Sequence, residues 1–211
     1  MQIGIIGSGN IGGTLAQLLV GAGHDVALSN SRGPDSLADQ VAALGNRARA
    51  TTPEEAARFG EVVIEAIPYG KIETLPAEAL AETILVSASN YYPGRDGRIE
   101  AVEGVEALTQ TERVAHHASE ARVVKAFNTI YWIHLRDQGD PSLALEDRRI
   151  LPLASDDEDA KALVADLIRE LGFAPYDMGL LRDGGAQMQP GQPIYNKDIT
   201  LREIRDRLGL G

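Results

Sequence analysis

The chain has 211 residues, 44% of them hydrophobic and 24% charged, with a formal net charge of -11. That length buries a real core, as one large domain or as one domain with a small appendage. The acidic balance argues against non-specific binding to nucleic acid or to a membrane surface, and the absence of cysteine removes thiol catalysis, Cys-ligated metal clusters and disulfides and fits a reducing compartment.

The first strand is expected at Gln2–Ile6, which leaves no room ahead of it for a secretory leader. Apolar runs are short and broken by Gly, Asp, Glu or Pro, so none spans a bilayer and a cytoplasmic chain is expected. Further strands are expected at Asp25–Leu28, Arg47–Ala50, Val62–Ala66, Ile84–Ala88 and Arg122–Phe127. Between the first two, Ile11, Leu15, Leu18, Leu19 and Ala22 recur at helical spacing and Gly23 supplies a stop. Capping boxes mark four helix starts: Thr52 with Glu55, Thr109 with Glu112, Ser155 with Glu158, and Thr200 with Glu203. The acidic run Asp156–Asp159 therefore reads as a helix N-terminus and not as a metal site.

After Asp137 the composition shifts. A loop over Gln138–Asp147 leads to a strand at Arg149–Leu153, a helix at Asp157–Leu171 and a strand at Ala174–Asp177. A Gly/Gln/Pro-rich loop, Gly184–Pro193, and a short helix at Leu201–Leu208 end the chain. Alternating strands and helices predict an α/β fold of the Rossmann type, a doubly wound, mostly parallel sheet. Residues 1–137 are expected to form the doubly wound domain, and residues 138–211 a small C-terminal α+β extension that serves as a cover or a dimer contact.

Gly7-Ser8-Gly9-Asn10-Ile11-Gly12 is a G-x-G-x-x-G that leaves an apolar strand and opens an amphipathic helix, the context a dinucleotide site requires. Gly7 makes the tight turn, Gly9 admits a pyrophosphate to the backbone, and Gly12 lets helix and strand pack closely. The helix N-terminus adds N–H donors and a positive dipole. An NAD site places an acid about twenty residues beyond the motif, for the ribose 2′-OH. Here Ser29, Asn30, Ser31 and Arg32 end the second strand instead. A guanidinium fork with small polar donors suits the 2′-phosphate, so the cofactor expected is NADP(H).

Ligands of open parallel sheets sit beyond the carboxyl ends of the strands. The remaining ends are Ala66-Ile67-Pro68, Ser89 with Asn90, and Asn128-Thr129; they are expected to hold the nicotinamide half. Asn128 and Thr129 are assigned to positioning nicotinamide and acceptor, with Tyr131 or Trp132 packing on a flat partner. Asn128 also suits the cap of the following helix. No nucleophile–base pattern and no metal site is apparent. His24, His116, His117 and His134 read as surface residues.

GIIGSGNIGGTLAQLL, SNSRG, EAIPY and VVKAFNTI together resemble the family of NADPH-dependent oxidoreductases that reduce the deazaflavin coenzyme F420. The resemblance runs from Met1 to about Ile130. It implies that Ser8, Gly9, Asn10, Ile11, Ser31 and Arg32 bind NADP, and that Ile67-Pro68 and Asn128–Ile130 border the nicotinamide and the second cofactor. The implied reaction is reversible hydride exchange between nicotinamide C4 and deazaflavin C5. Deazaflavin-using members tend to read Ala-Leu-His-Thr-Ile at the sixth strand end. Ala126-Phe127-Asn128-Thr129-Ile130 is instead similar to the NADPH-binding domains of six-transmembrane metalloreductases, which pass hydride to a flavin.

The expected activity is an NADPH-dependent reductase whose acceptor is F420 or free FMN or FAD, with onward transfer to ferric iron or a quinone. Two other readings stand beside it: a carbonyl or imine reductase of the hydroxyacid or pyrroline carboxylate type, and an NADP(H)-sensing binding protein. A homodimer is expected, because the Gln/Pro-rich tail buries little of itself.

Overall fold

The computed structural model describes residues 1–104 and 107–204. Strands and helices alternate as β1 (Gln2–Ile6), α1 (Asn10–Gly21), β2 (Asp25–Ser29), α2 (Ala38–Leu44), β3 (Ala48–Thr51), α3 (Pro53–Phe59), β4 (Val62–Glu65) and β5 (Ile84–Ser87). Three short helices follow, α4 (Pro93–Asp96), α5 (Glu100–Glu103) and α6 (Gln110–His117), then β6 (Arg122–Ala126) and α7 (Trp132–Asp137). The chain continues through β7 (Ile150–Ser155), α8 (Glu158–Glu170), β8 (Ala174–Asp177) and α9 (Asp183–Gln187). Among the described residues eight strands form one sheet, in the order β3-β2-β1-β4-β5-β6-β7-β8. Neighbours run parallel except β6 and β7, which are antiparallel. This is a Rossmann-type α/β sheet that the C-terminal region extends by two strands.

Alternate residues of each strand feed opposite layers, as the two-residue period of a strand demands. On one face Ile3, Ile5, Val26, Ile64 and Val124 pack against Leu15 and Leu19 of α1 and Val164 and Ile168 of α8. On the other, Ile6, Val63, Leu85 and Val123 meet Ala56 and Ala57 of α3, Tyr69, Ile72 and Val114 of α6. Leu15 is fully buried, and cutting such a side chain back to alanine costs ~2–5 kcal/mol. A small third cluster, Ile150, Ala174, Ile194 and Ile199, ties the end of the chain to β7 and β8.

The helix starts at Thr52 and Thr109 carry full capping boxes, with reciprocal bonds to Glu55 and Glu112. Ser155 does not cap α8. It ends β7, and its hydroxyl donates to Val123 O at 2.7 Å. Asp157 takes the cap instead, accepting from Ala160 N at 2.8 Å while the Arg122 guanidinium grips the carboxylate at 2.7 and 2.8 Å. A carboxylate is the stronger acceptor, and Arg122 fixes its rotamer.

Thr200 and Glu203 make their reciprocal bonds at 3.0 and 3.3 Å, whereas the expected helix Leu201–Leu208 lies largely outside the described residues. Within the expected loop Gly184–Pro193 the chain forms α9, where Gly184 lies against Met178 O too closely for a side chain. His24 is not a surface residue. It is 6% exposed and its Nε2 lies 2.9 Å from Glu170, at the end of α8. No helix among the described residues is long and apolar enough to cross a membrane.

Candidate functional site

The carboxyl ends of β1, β4, β5 and β6 open into a cleft of about 520 Å³. Its first wall is the glycine loop. Gly7 has φ +114°, a left-handed conformation that favours glycine, and a Cβ there or at Gly12 would strike Ala66 O or Gly7 O. Above Gly9 no atom lies within 4 Å of a would-be Cβ. The loop is thus closed on the protein side and open on the ligand side, where α1 begins. That is the cradle a pyrophosphate needs.

Asn30 organises the next segment. Its amide donates to Ser8 Oγ at 3.2 Å and Ser36 Oγ at 3.0 Å, and its Oδ1 accepts from Arg32 N at 2.9 Å. Ser31 and Arg32 are therefore presented, exposed, beside the glycine loop. No protein group among the described residues pairs with the Arg32 guanidinium. An unpaired guanidinium next to an open phosphate cradle fits a 2′-phosphate. Ser29 is placed differently, since it is fully buried and its hydroxyl donates to Ile5 O at 2.9 Å.

Farther along, Ala66, Ile67, Pro68, Ser89, Asn90 and Asn128 line the same cleft as Gly9, Asn10 and Ile11. Asn128 is 3% exposed, and its amide donates to Asn90 Oδ1 at 2.9 Å and Met188 O at 2.7 Å. Asn90 returns a bond to Asn128 O at 2.8 Å. Asn128 Oδ1 is buried with no hydrogen-bond partner, so it stands ready to accept from a ligand N–H. Asn128 caps no helix, because Tyr131 occupies the N-cap of α7. Phe127 precedes it at φ +60°, a strained conformation for a large side chain that turns the chain sharply at the strand end. Thr129 is buried outside the cleft lining, its carbonyl accepting from Asn196 N at 3.1 Å.

Several residues at this end carry no sequence motif. Tyr92, Arg95, Tyr195 and Asn196 line the cleft with Tyr131 and Trp132. The hydroxyls of Tyr92 and Tyr195 meet at 2.5 Å, and burial raises the Tyr195 pKa. Beneath the cleft floor sits Glu65, fully buried, with Oε1 accepting from Ser87 at 2.6 Å and from Ser89 at 2.8 Å. Burial pushes its carboxyl up to about 7, against the pull of those hydroxyls and of Lys125. Burial likewise lowers Lys125 to about 8, opposed by Glu65. An acid ending an apolar strand, with serines two apart at the end of the next, was the signal available in the sequence.

Residues 2–91 match the family described as NADP oxidoreductase coenzyme F420-dependent. The metalloreductase STEAP3 of Rattus norvegicus is 33% identical over 193 residues, covering 85% of this chain and 34% of that protein. The chain thus spans about a third of the length of the curated relative it matches. Among solved structures, hypothetical protein SMa0349 from Sinorhizobium meliloti aligns with a TM-score of 0.81 at 33% identity, covering 95% of each chain. A "putative f420 dependent nadp-reductase" from Arthrobacter sp. FB24 aligns with a TM-score of 0.75 at 25% identity, over 95% of this chain and 99% of that one.

Proposed function

Through residues 2–91 the chain belongs to the NADP oxidoreductases described as coenzyme F420-dependent, and from that premise we propose that it reduces a planar, flavin-like acceptor with NADPH. The observation that carries the choice of acceptor is the aromatic wall. Tyr92, Tyr131, Trp132 and Tyr195 stand in the same cleft as the nicotinamide-side residues Ile67, Pro68 and Asn128. Flat aromatic side chains set among convergent polar groups suit a fused-ring partner better than a small carbonyl compound.

Bound NADPH supplies the hydride; the protein supplies placement and electrostatics. Arg32 and Ser31 hold the 2′-phosphate, and the Gly7–Gly12 loop with the start of α1 holds the pyrophosphate. Asn128 offers its free Oδ1 to an N–H on the nicotinamide side. F420, FMN and FAD are the acceptors proposed, with ferric iron or a quinone as onward electron acceptor. Residues 138–211 act as the acceptor-site cover, since Met188 and Asn196 reach the strand end at Asn128 and Thr129 and Tyr195 reaches Asn90. A homodimer burying exposed Tyr92 and Tyr131, working in the cytoplasm, completes the proposal.

The test is loss of reduced-nicotinamide absorbance with FMN, FAD, F420 and small carbonyl compounds in parallel. Turnover with at least one flavin-like ring is expected. Turnover with a carbonyl compound alone would assign the chain to carbonyl or imine reduction. Tight NADPH binding with no turnover on any acceptor would make it an NADP(H)-sensing protein.

A further inference from the structure

Glu65, Ser87 and Lys125 lie in one row across three adjacent parallel strands, since the register pairs Glu65 with Ser87 and Ser87 with Lys125. In-register residues of parallel strands share a face. Ser89, two residues beyond Ser87, links this row to the cleft: its hydroxyl bonds Glu65, and the residue itself is part of the cleft wall. Both Glu65 and Lys125 have no exposed surface. Glu65 Oε2 and Lys125 Nζ have no hydrogen-bond partner. The two groups act on each other through space without a direct salt bridge; buried charges kept for structure are normally closed by partners on every polar atom, whereas these are left open and act through a poorly screened interior.

We propose that Glu65, coupled to the cleft through Ser89, is the counter-charge of the oxidised nicotinamide, so that the protein distinguishes NADP+ from NADPH by a proton on the Glu65–Lys125 pair. This rests on the reading above that the nicotinamide lies against Ala66–Pro68 and Ser89. The oxidised ring is positive and the reduced ring neutral. Over an ionised Glu65 the positive ring is favoured; over a protonated Glu65, with Lys125 charged beside it, the ring is repelled. NADP+ binding therefore releases a proton from Glu65 to the buffer, and NADPH binding releases none from this site.

The sign follows from linkage. With the Glu65 carboxyl near 7, NADP+ affinity falls as pH drops below that value, by up to about tenfold per pH unit at full coupling. NADPH affinity carries no Glu65-linked dependence. The 2′-phosphate titrates in both cofactors and cancels in their ratio. Other ionisable groups on this side of the sheet have their own partners. The Tyr69 hydroxyl donates to Gln110 O at 2.8 Å, Arg113 pairs with Glu73 at 2.8 Å, and Asp96 is held by Arg95 at 2.8 Å. Lys125 is the cation that draws the Glu65 carboxyl down.

Calorimetric titration of the chain with NADP+ and with NADPH, each in two buffers of different ionisation enthalpy between about pH 6 and pH 8, reads the protons directly. A larger proton release with NADP+ than with NADPH is expected, with the ratio of the two Kd values moving several-fold across that range. Glu65→Gln keeps the serine hydrogen bonds; it should abolish the excess release seen with NADP+ and hold NADPH affinity within about threefold. Lys125→Met should move the release to higher pH, because Glu65 loses its cation. Equal proton counts for the two cofactors in the wild type, or an excess with NADP+ retained by Glu65→Gln, overturns the proposal while Arg32-dependent cofactor binding leaves the site reading standing. Weak binding of both cofactors, indifferent to Arg32→Ala, overturns the site reading and the proposal with it.

Discussion

The two ends of the cleft are built on different plans. At the proposed phosphate end, the stretch of chain from Gly7 to Arg32 supplies both the glycine loop and the cation, and that cation is exposed with no protein partner among the described residues. At the nicotinamide end, β4, β5, β6 and the C-terminal loop each supply part of the site. There the polar groups are buried and cross-linked, from Glu65 through Ser89 and from Asn90 through Asn128 to Met188. Local construction gives an end that grips a common chemical group. Construction from distant segments gives an end whose electrostatics are set by burial, where a change in one side chain is felt by several others.

Substitutions at the two ends should therefore differ in kind. The largest effect expected is on stability, from Glu65→Gln. Because burial raises the Glu65 carboxyl to about 7, its contribution is fully present below the unfolded value near 4.5 and is lost as pH rises through about 7. Removing the carboxyl also lets Lys125 lose its proton more easily, which acts in the same direction. Relative to wild type, the variant should gain stability between about pH 5 and pH 8, by up to a few kcal/mol, as read from urea midpoints. A difference that is flat with pH would mean that the buried pair is not coupled to folding.

Next comes the phosphate end. Arg32→Ala should weaken NADPH by about 10- to 100-fold, the worth of hydrogen bonds to a charged group. NADH affinity should change little and the urea midpoint not at all, since Arg32 is exposed and unpaired. Equal losses for the two cofactors by titration would remove the 2′-phosphate assignment.

The smallest effect expected is at Asn128. One imidazole N–H can replace only one of the two bonds that Asn128 donates, to Asn90 and to Met188. Asn128→His should thus cost about 1 kcal/mol of stability. It should shift the preference between F420 and FMN by roughly tenfold while leaving NADPH affinity within about threefold. Loss of NADPH binding would place this strand end elsewhere relative to the cofactor.

The contrast between the ends also explains what could be read from the sequence. The strands that carry the cofactor loops were legible, because a parallel sheet covered on both faces demands apolar runs such as Ile3–Ile6 and Val62–Ile64, and the glycine loop announces its own geometry. Local reasoning failed where a distant partner decides the outcome. Ser155 looked like a helix cap until Val123 O claimed its hydroxyl and Arg122 fixed Asp157. His24 looked like a surface residue, but Glu170, 146 residues away, covers it. Tyr195 and Asn196 follow a Gly/Gln/Pro-rich stretch with no motif of their own, and it is bonds to the distant Asn90 and Thr129 that hold them at the cleft.

The bond from Asn128 to Met188 has a consequence in time. The two residues are sixty positions apart, and a chain grows from the ribosome at roughly 5–20 residues per second. For about 3 to 12 seconds of synthesis at that rate, the glycine loop, Arg32 and the strand end at Asn128 all exist while the carbonyl that anchors the strand end does not. A nascent chain is thus equipped to hold the phosphates of its cofactor before the reactive end of the site has its final partner.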